Sequence, residues 1–249
     1  MDNKKKKSIW IIGGLLAVAA IVLAVVLICG NKKFTQTTIY PDESLSRPSD
    51  TTFVVNGIAF KMIGIQGGVF CGKELKDEIE LPNFYIGETE VTYGLWSAVM
   101  DDGLQPSEES AVLPITDISL DDCFDFLDRL DSITGCKFYV PPYEHWLYAA
   151  YYGKSAQKET NLSEIAWHSG NSNGKANPVK SKKPDGLGLY DMVGNVEEWT
   201  ISGPDPLFII AGGSYQNDSV DCSLDSYSIN HADVKMGHIG LRLIMAYEK

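Results

Sequence analysis

The chain lacks most of the signatures that announce an enzyme class. It has no phosphate-cradling glycine loop, no GxSxG elbow and no HExxH pair. Nucleotide hydrolysis, serine-hydrolase chemistry and zinc proteolysis of those kinds therefore have no foothold. Histidine is scarce: the four residues at 145, 168, 231 and 238 show no metal-ligand spacing, and His145 falls on a predicted helix where packing explains it. Positive charge is outnumbered about two to one outside the N-terminus, by 15 basic against 32 acidic residues. Residues 1–33 carry six lysines and one aspartate, so the other 216 residues hold a net −17 of the overall −12. A nucleic-acid partner needs a basic face and finds none. Internal repeats and low-complexity blocks are also missing.

What the N-terminus does have is one long apolar run. Lys4 to Lys7 precede 21 uncharged residues, Ser8 to Ile28. At about 1.5 Å per residue these span roughly 31 Å, enough for a bilayer core. A cleaved signal peptide has a shorter apolar stretch and a small-residue cleavage site, which Leu27-Ile28-Cys29 does not offer. Lipidation of Cys29 is the alternative, although Ile28 is larger than the residue that usually precedes a lipidated cysteine. The lysine bias places the N-terminus in the cytoplasm and the acidic body outside it, in the periplasm if the envelope has two membranes. The division expected is a basic tail at 1–7, a membrane helix at 8–29, a polar linker at 30–52 and a domain at 53–249. Four of the five cysteines, at 71, 123, 136 and 222, are then exported. Disulfides are chemically permitted there, and the sequence does not choose among the pairings.

Within the domain, Asn56-Gly57 predicts a hairpin turn, and Lys61–Phe70 reads as a further extended stretch broken by glycines. Thr92 caps a helix to Met100, with Leu95, Trp96, Val99 and Met100 on one face. Ser119 with Asp122 predicts a second helix to about Asp131 that buries Cys123, Phe124, Leu127 and Leu130. Pro141-Pro142 opens a third, ending at Gly153, with Trp146, Ala149 and Ala150 inward. The last 70 residues are short extended runs between turns. The fold class is α+β with much irregular loop.

The segment GLGLYDMVGNVEEW, residues 186–199, carries the most chemistry. Asp191 and Glu198 lie seven apart around glycine bends. If the loop makes them converge, they and nearby carbonyls form an oxygen cage suited to calcium. If it does not, they are two acids on a solvated turn.

This segment, followed by AGGSY and GHIGLRL, resembles the formylglycine-generating enzyme, or sulfatase-modifying factor, family. KMIGIQGGVFCG, FYIGETEVTYGLW, FYVPPYEHWLYAA and AWHSGNSNGKANPVK are similar to its other landmarks, in the same order, over about residues 60–245. The resemblance implies a compact α+β domain related to C-type lectin-like folds. It also implies a structural calcium held by the side chains of Asp191 and Glu198 and the carbonyls of Gly194 and Val196. A second family calcium site has no counterpart here. The family enzyme converts a substrate cysteine to formylglycine with copper held by two cysteines just after GGSY. By that alignment the two positions are Asn217 and Cys222, beside Ser214, so the first thiolate is lost. Tyr139, Pro142-Tyr143 and Glu197 also depart from the family pattern. No catalytic residue is expected, nor copper. The function implied is non-catalytic: membrane-anchored binding or scaffolding in a bacterial envelope, with an envelope protein, peptide or glycan as partner. The alternatives are a formylglycine-generating oxidase or another enzyme on the same scaffold.

Overall fold

The computed structural model describes residues 37–71, 78–101, 103, 106–155, 161–202 and 207–248. The expected membrane helix at 8–29, the basic tail and the first part of the linker lie outside the described residues. Among the described residues no helix is long and apolar enough to cross a membrane.

Three small sheets form the frame. Strands β1 (Thr38–Pro41), β4 (Gly68–Cys71) and β5 (Ile79–Leu81) make the first, in the order β1-β4-β5. The second holds β2 (Thr51–Val55), β3 (Ile58–Ile65), β6 (Phe84–Gly87), β7 (Phe138–Tyr139) and β12 (Ile244–Ala246), in the order β2-β3-β6-β12-β7. The third is β10 (Tyr227–His231), β9 (Leu207–Ala211), β8 (Glu197–Trp199) and β11 (Ile239–Gly240), in that order. All pairings are antiparallel except β8 with β11.

The hairpin β2–β3 turns on Asn56 and Gly57, with φ of 47° and 86°. Both residues are left-handed, as a two-residue turn between twisted strands requires. The polar stretch assigned to a linker is partly domain. β1 pairs with β4 from Thr38 to Pro41, and Arg47 Nε donates to Gly64 O at 2.7 Å. Backbone pairing, which composition does not reveal, recruits these residues. Close approach makes it possible: a Cβ on Gly68 would sit 2.2 Å from Tyr40 O.

Helix α1 (Tyr93–Met100) starts at Thr92, whose side chain accepts from Leu95 N. α2 is the single turn Glu108–Ala111. α3 (Leu120–Thr134) has the expected capping box between Ser119 and Asp122, but it runs one turn further and stops at left-handed Gly135. Its inner face corrects the sequence reading. Phe126 is fully buried, whereas Phe124 is 44% exposed. Residues 123, 126, 127 and 130 share a helical stripe, and 124 turns about 100° away from 123. α4 (Tyr143–Ser155) buries Trp146, Ala149 and Ala150 as expected, and His145 packs edge-on against Phe84 with ring centroids 5.1 Å apart. α5 (Leu162–Ile165) is a short turn within the long loop.

Two apolar cores result. One packs α1 and α3 against the second sheet and includes Trp199. The other packs α4 against β3, β4 and β6 and takes in Leu189, Met192, Val193, Cys222 and Leu224. The segment 186–199 therefore runs from one core to the other.

Candidate functional site

Residues 191–195 form a turn of unusual curvature. Asp191, Gly194 and Asn195 have φ of 56°, 76° and 59°. At Gly194 a side chain is also excluded by space, because a Cβ would meet Trp167 O at 2.3 Å. The turn is folded inward rather than solvated: Asp191, Asn195 and Glu198 are 3%, 0% and 1% exposed. Asn195 organises it. Its amide oxygen accepts from Asn177 N, and its amide nitrogen donates to Glu90 Oε1 at 3.1 Å and to Asn177 O.

Three carboxylates meet here around one guanidinium. Arg242, fully buried, donates from Nε and Nη2 to both oxygens of Glu198, the shortest contact being 2.6 Å. Its remaining donors go to Gly87 O and Tyr190 O. Trp146 Nε1 also donates to Glu198 at 2.6 Å. Asp191 Oδ2 accepts from Lys180 N at 3.0 Å, but its Oδ1 is buried without a partner, and so is Glu90 Oε2. Burial pushes the Asp191 carboxyl up to about 6. Glu90 is raised well above the usual carboxylate range, first by burial and then by the charge of Asp191. Buried charge left unpaired is expensive, and one arginine against three carboxylates leaves a deficit of positive charge.

A cation fits part of that deficit. The orphaned oxygens of Asp191 and Glu90 are hard donors of the kind calcium takes, and the carbonyls of Gly194 and Val196 lie on the same turn. Both oxygens of Glu198 accept hydrogen bonds from Arg242, and Oε2 from Trp146 as well. Among the described residues no group of three or more His, Cys, Asp or Glu side chains is arranged to hold a metal. A calcium here would depend on backbone carbonyls for most of its shell.

The second cluster joins Ser214, Asn217 and Cys222. Ser214 donates to Asn217 Oδ1 from both its N–H and its hydroxyl, each at 2.8 Å. The thiol of Cys222 donates to Ser214 O at 3.4 Å. Burial, followed by the charge of Asp221, pushes that thiol up to about 11. It is a neutral, packed thiol at pH 7, not a thiolate poised for metal or nucleophilic work. Cys123, Cys136 and Cys222 are not in disulfides. Glu197, at a position where the family has tryptophan, accepts from Ser228 Oγ at 2.9 Å.

The two clusters meet at a cavity of about 720 Å³. Asp191 and Cys222 both line it, together with Leu162, Ile165, Leu189 and Leu224. Its wall is mostly apolar with a few polar groups, the usual make-up of a ligand site.

Comparison with known proteins now becomes decisive. The description "Sulfatase-modifying factor enzyme 1-like domain" matches residues 46–247. The chain belongs to this family. A relative named "Chaperone protein LppX", from Paenibacillus barcinonensis, is 24% identical, covering 55% of this chain and 70% of that protein. Among solved structures, Treponema denticola variable protein 1 is similar with a TM-score of 0.70 and 23% identity, covering 80% of this chain and all of that one. PvdO from Pseudomonas aeruginosa gives 0.67 at 18% identity, covering 82% and 100%. CarF gives 0.62 at 23% identity, covering 76% and 99%. These likenesses establish the sulfatase-modifying-factor fold.

Several residues of this sulfatase-modifying-factor domain escaped the sequence reading. Glu90, Trp146, Asn195 and Arg242 complete the buried cluster. Glu90 lies in the EVT landmark and Arg242 in GLRL. For Arg242 the available signal was a charge inside the otherwise apolar run GLRL, because such a charge needs a buried partner.

Proposed function

We propose that this is a non-catalytic binding or scaffolding protein of a bacterial cell envelope, held at the membrane by residues 8–29 with its acidic domain outside the cytoplasm. The observation that carries the reading is Asn217. It stands where the family places a copper thiolate, and its amide oxygen is already occupied by the Ser214 N–H and hydroxyl. Cu(I) wants soft thiolates, and an amide is a hard, weak donor. Cys222 alone, kept protonated by burial, does not replace the pair. The cavity beside it supplies an apolar surface suited to a peptide or a glycan. The similarity to a protein named as a chaperone points the same way, toward work done by binding.

The test is an assay with purified protein, Cu(I), oxygen and a cysteine-containing sulfatase peptide. No mass change at the peptide cysteine is expected. Conversion that disappears in Cys222→Ser overturns the reading. Asn217→Cys is expected to raise Cu(I) affinity, since it restores the thiolate pair.

Calcium belongs to the same proposal as a structural ion, held by Asp191, Glu90 and the carbonyls of Gly194 and Val196. Its contribution is to neutralise buried charge and fix the turn. An ion that binds only the folded state raises the melting temperature by mass action. Adding calcium to chelator-treated protein is expected to raise Tm, and Asp191→Ala to abolish the increase. The membrane topology predicts that protease added to spheroplasts digests the domain. Its protection there would reverse the orientation.

A further inference from the structure

Among the described residues the third sheet ends in an open strand. β10 pairs with β9 on one side only. Antiparallel pairs alternate between hydrogen-bonded and non-hydrogen-bonded, and two observations fix the phase. Gly212 N donates to Ser226 O, which makes that pair hydrogen-bonded. Ile209, opposite Ile229, sends its N–H to Ser202 O and takes Thr200 N on its carbonyl, both away from β10. Tyr227, Ile229 and His231 are therefore the non-hydrogen-bonded positions, and their backbone groups face the free edge. His231 O is taken by Val234 N. The N–H and C=O of Tyr227 and Ile229 have no partner among the described residues.

Among the described residues nothing guards this edge. Natural edge strands are usually blunted by lysine, proline, a bulge or a covering loop. β10 reads YSINH, without charge, proline or glycine. Tyr227 and Ile229 are 56% and 48% exposed on one face. Unspent backbone donors and acceptors at strand spacing, with apolar side chains beside them, are the chemistry of strand addition. The surroundings select the charge of the partner. Residues 207–234 contain no lysine or arginine, and Asp218, Asp221, Asp225 and Asp233 flank the strand. All four are exposed, and none is in an ion pair among the described residues.

We propose that the free edge of β10 receives an extended, lysine- or arginine-bearing polypeptide as an added strand. The proposal deepens the binding reading above and rests on it. Backbone bonds to Tyr227 and Ile229 would set the register, and the four aspartates would favour basic side chains on the incoming strand.

The parity of the strand offers a clean test. The Ile229 N–H does not bond to β9, so Ile229→Pro removes an outward donor and leaves the ladder intact. The probe is a fluorescein-labelled peptide alternating Lys and Val, with a Glu/Val peptide as control, titrated by anisotropy against the full chain in detergent. Expected is binding of the Lys/Val peptide alone, weakened at least about tenfold by Ile229→Pro, a loss comparable to one or two hydrogen bonds, with Tm unchanged. No binding to the native chain, or equal binding to Ile229→Pro, overturns the proposal. If Ile229→Pro lowers Tm, the Asp225→Lys/Asp233→Lys variant decides: weakened binding supports the proposal, and unchanged affinity overturns it. A native chain that sediments as a dimer while Ile229→Pro is monomeric would put a second copy on the edge, which also overturns it. Formylglycine formation in the copper assay would refute the non-catalytic reading through a separate readout, leaving the anisotropy result to stand by itself.

Discussion

Arg242 is the residue on which the buried cluster turns. It faces Glu198 through two parallel contacts and donates to Gly87 O and Tyr190 O without any exposure to solvent. Arg242→Met removes the guanidinium that Glu198 faces and leaves Glu198 charged and buried. The expected cost is about 3–5 kcal/mol, measurable as a lower urea midpoint at unchanged m-value. Arg242→Lys is expected to recover only part of it, because an ammonium cannot reproduce the planar fork. Asp185 gives a second test. Its Oδ1 accepts from Leu187 N and Leu189 N, while Oδ2 is buried without a partner. Burial pushes its carboxyl up to about 6 from an ordinary 3.8. The folded state thus holds this proton more tightly than the unfolded chain. Ionised Asp185 opposes folding by roughly 3 kcal/mol at neutral pH, and the penalty fades as pH falls through 6 toward the unfolded value. Asp185→Asn keeps one acceptor oxygen and cannot ionise. Its stability relative to the native chain is expected to improve as pH rises from about 4 to 7, followed by urea denaturation across that range. A difference independent of pH would show that Asp185 does not titrate there.

At the scale of elements, β1 tests where the domain begins. Its pairing with β4 depends on Gly68, and Gly68→Ala would drive a methyl group into the Tyr40 carbonyl. The strand must separate or the sheet must shift, for an expected loss of about 1–3 kcal/mol. Hydrogen exchange should rise in residues 38–41 and their β4 partners before it rises in β3 and β6. The elements also show what a sequence can disclose. The Thr92 cap, the Ser119–Asp122 box and the Asn56-Gly57 turn were legible because each is decided by residues at most three apart. Phe124 was misassigned because a helix with several apolar residues allows more than one stripe, and only the opposing surface selects among them. β1 was missed because a four-residue strand within a polar stretch gives no sign of a partner about 30 positions away. The landmarks located the site, since they order it along the chain, but not its partners. Glu198 meets Arg242 across 44 residues, and Asn195 meets Glu90 across 105.

For the molecule as a whole, charge is the dominant property. The part of the chain after residue 33 carries −17, with 15 basic residues against 32 acidic ones. Self-repulsion of that size opposes compaction and is screened by salt. The melting temperature is expected to rise by a few degrees between about 0.05 and 0.5 M sodium chloride, a change of the order of 1 kcal/mol. Calorimetry in chelator-treated buffer separates this screening from specific ion binding. The same net charge would also repel the acidic body from an anionic lipid surface.

The order in which the chain is made has a consequence of its own. β12 lies between β6 and β7, and Arg242 comes just before it, yet both follow every other described element in chain order. Until they arrive, the second sheet has a gap at its interior and Glu198 has no counter-charge. A truncated polypeptide that stops short of Arg242 cannot close either one. The second sheet and the buried ion pair are thus closed only after the other described elements have been made. Fragments that stop before Arg242 would therefore stay open to proteases.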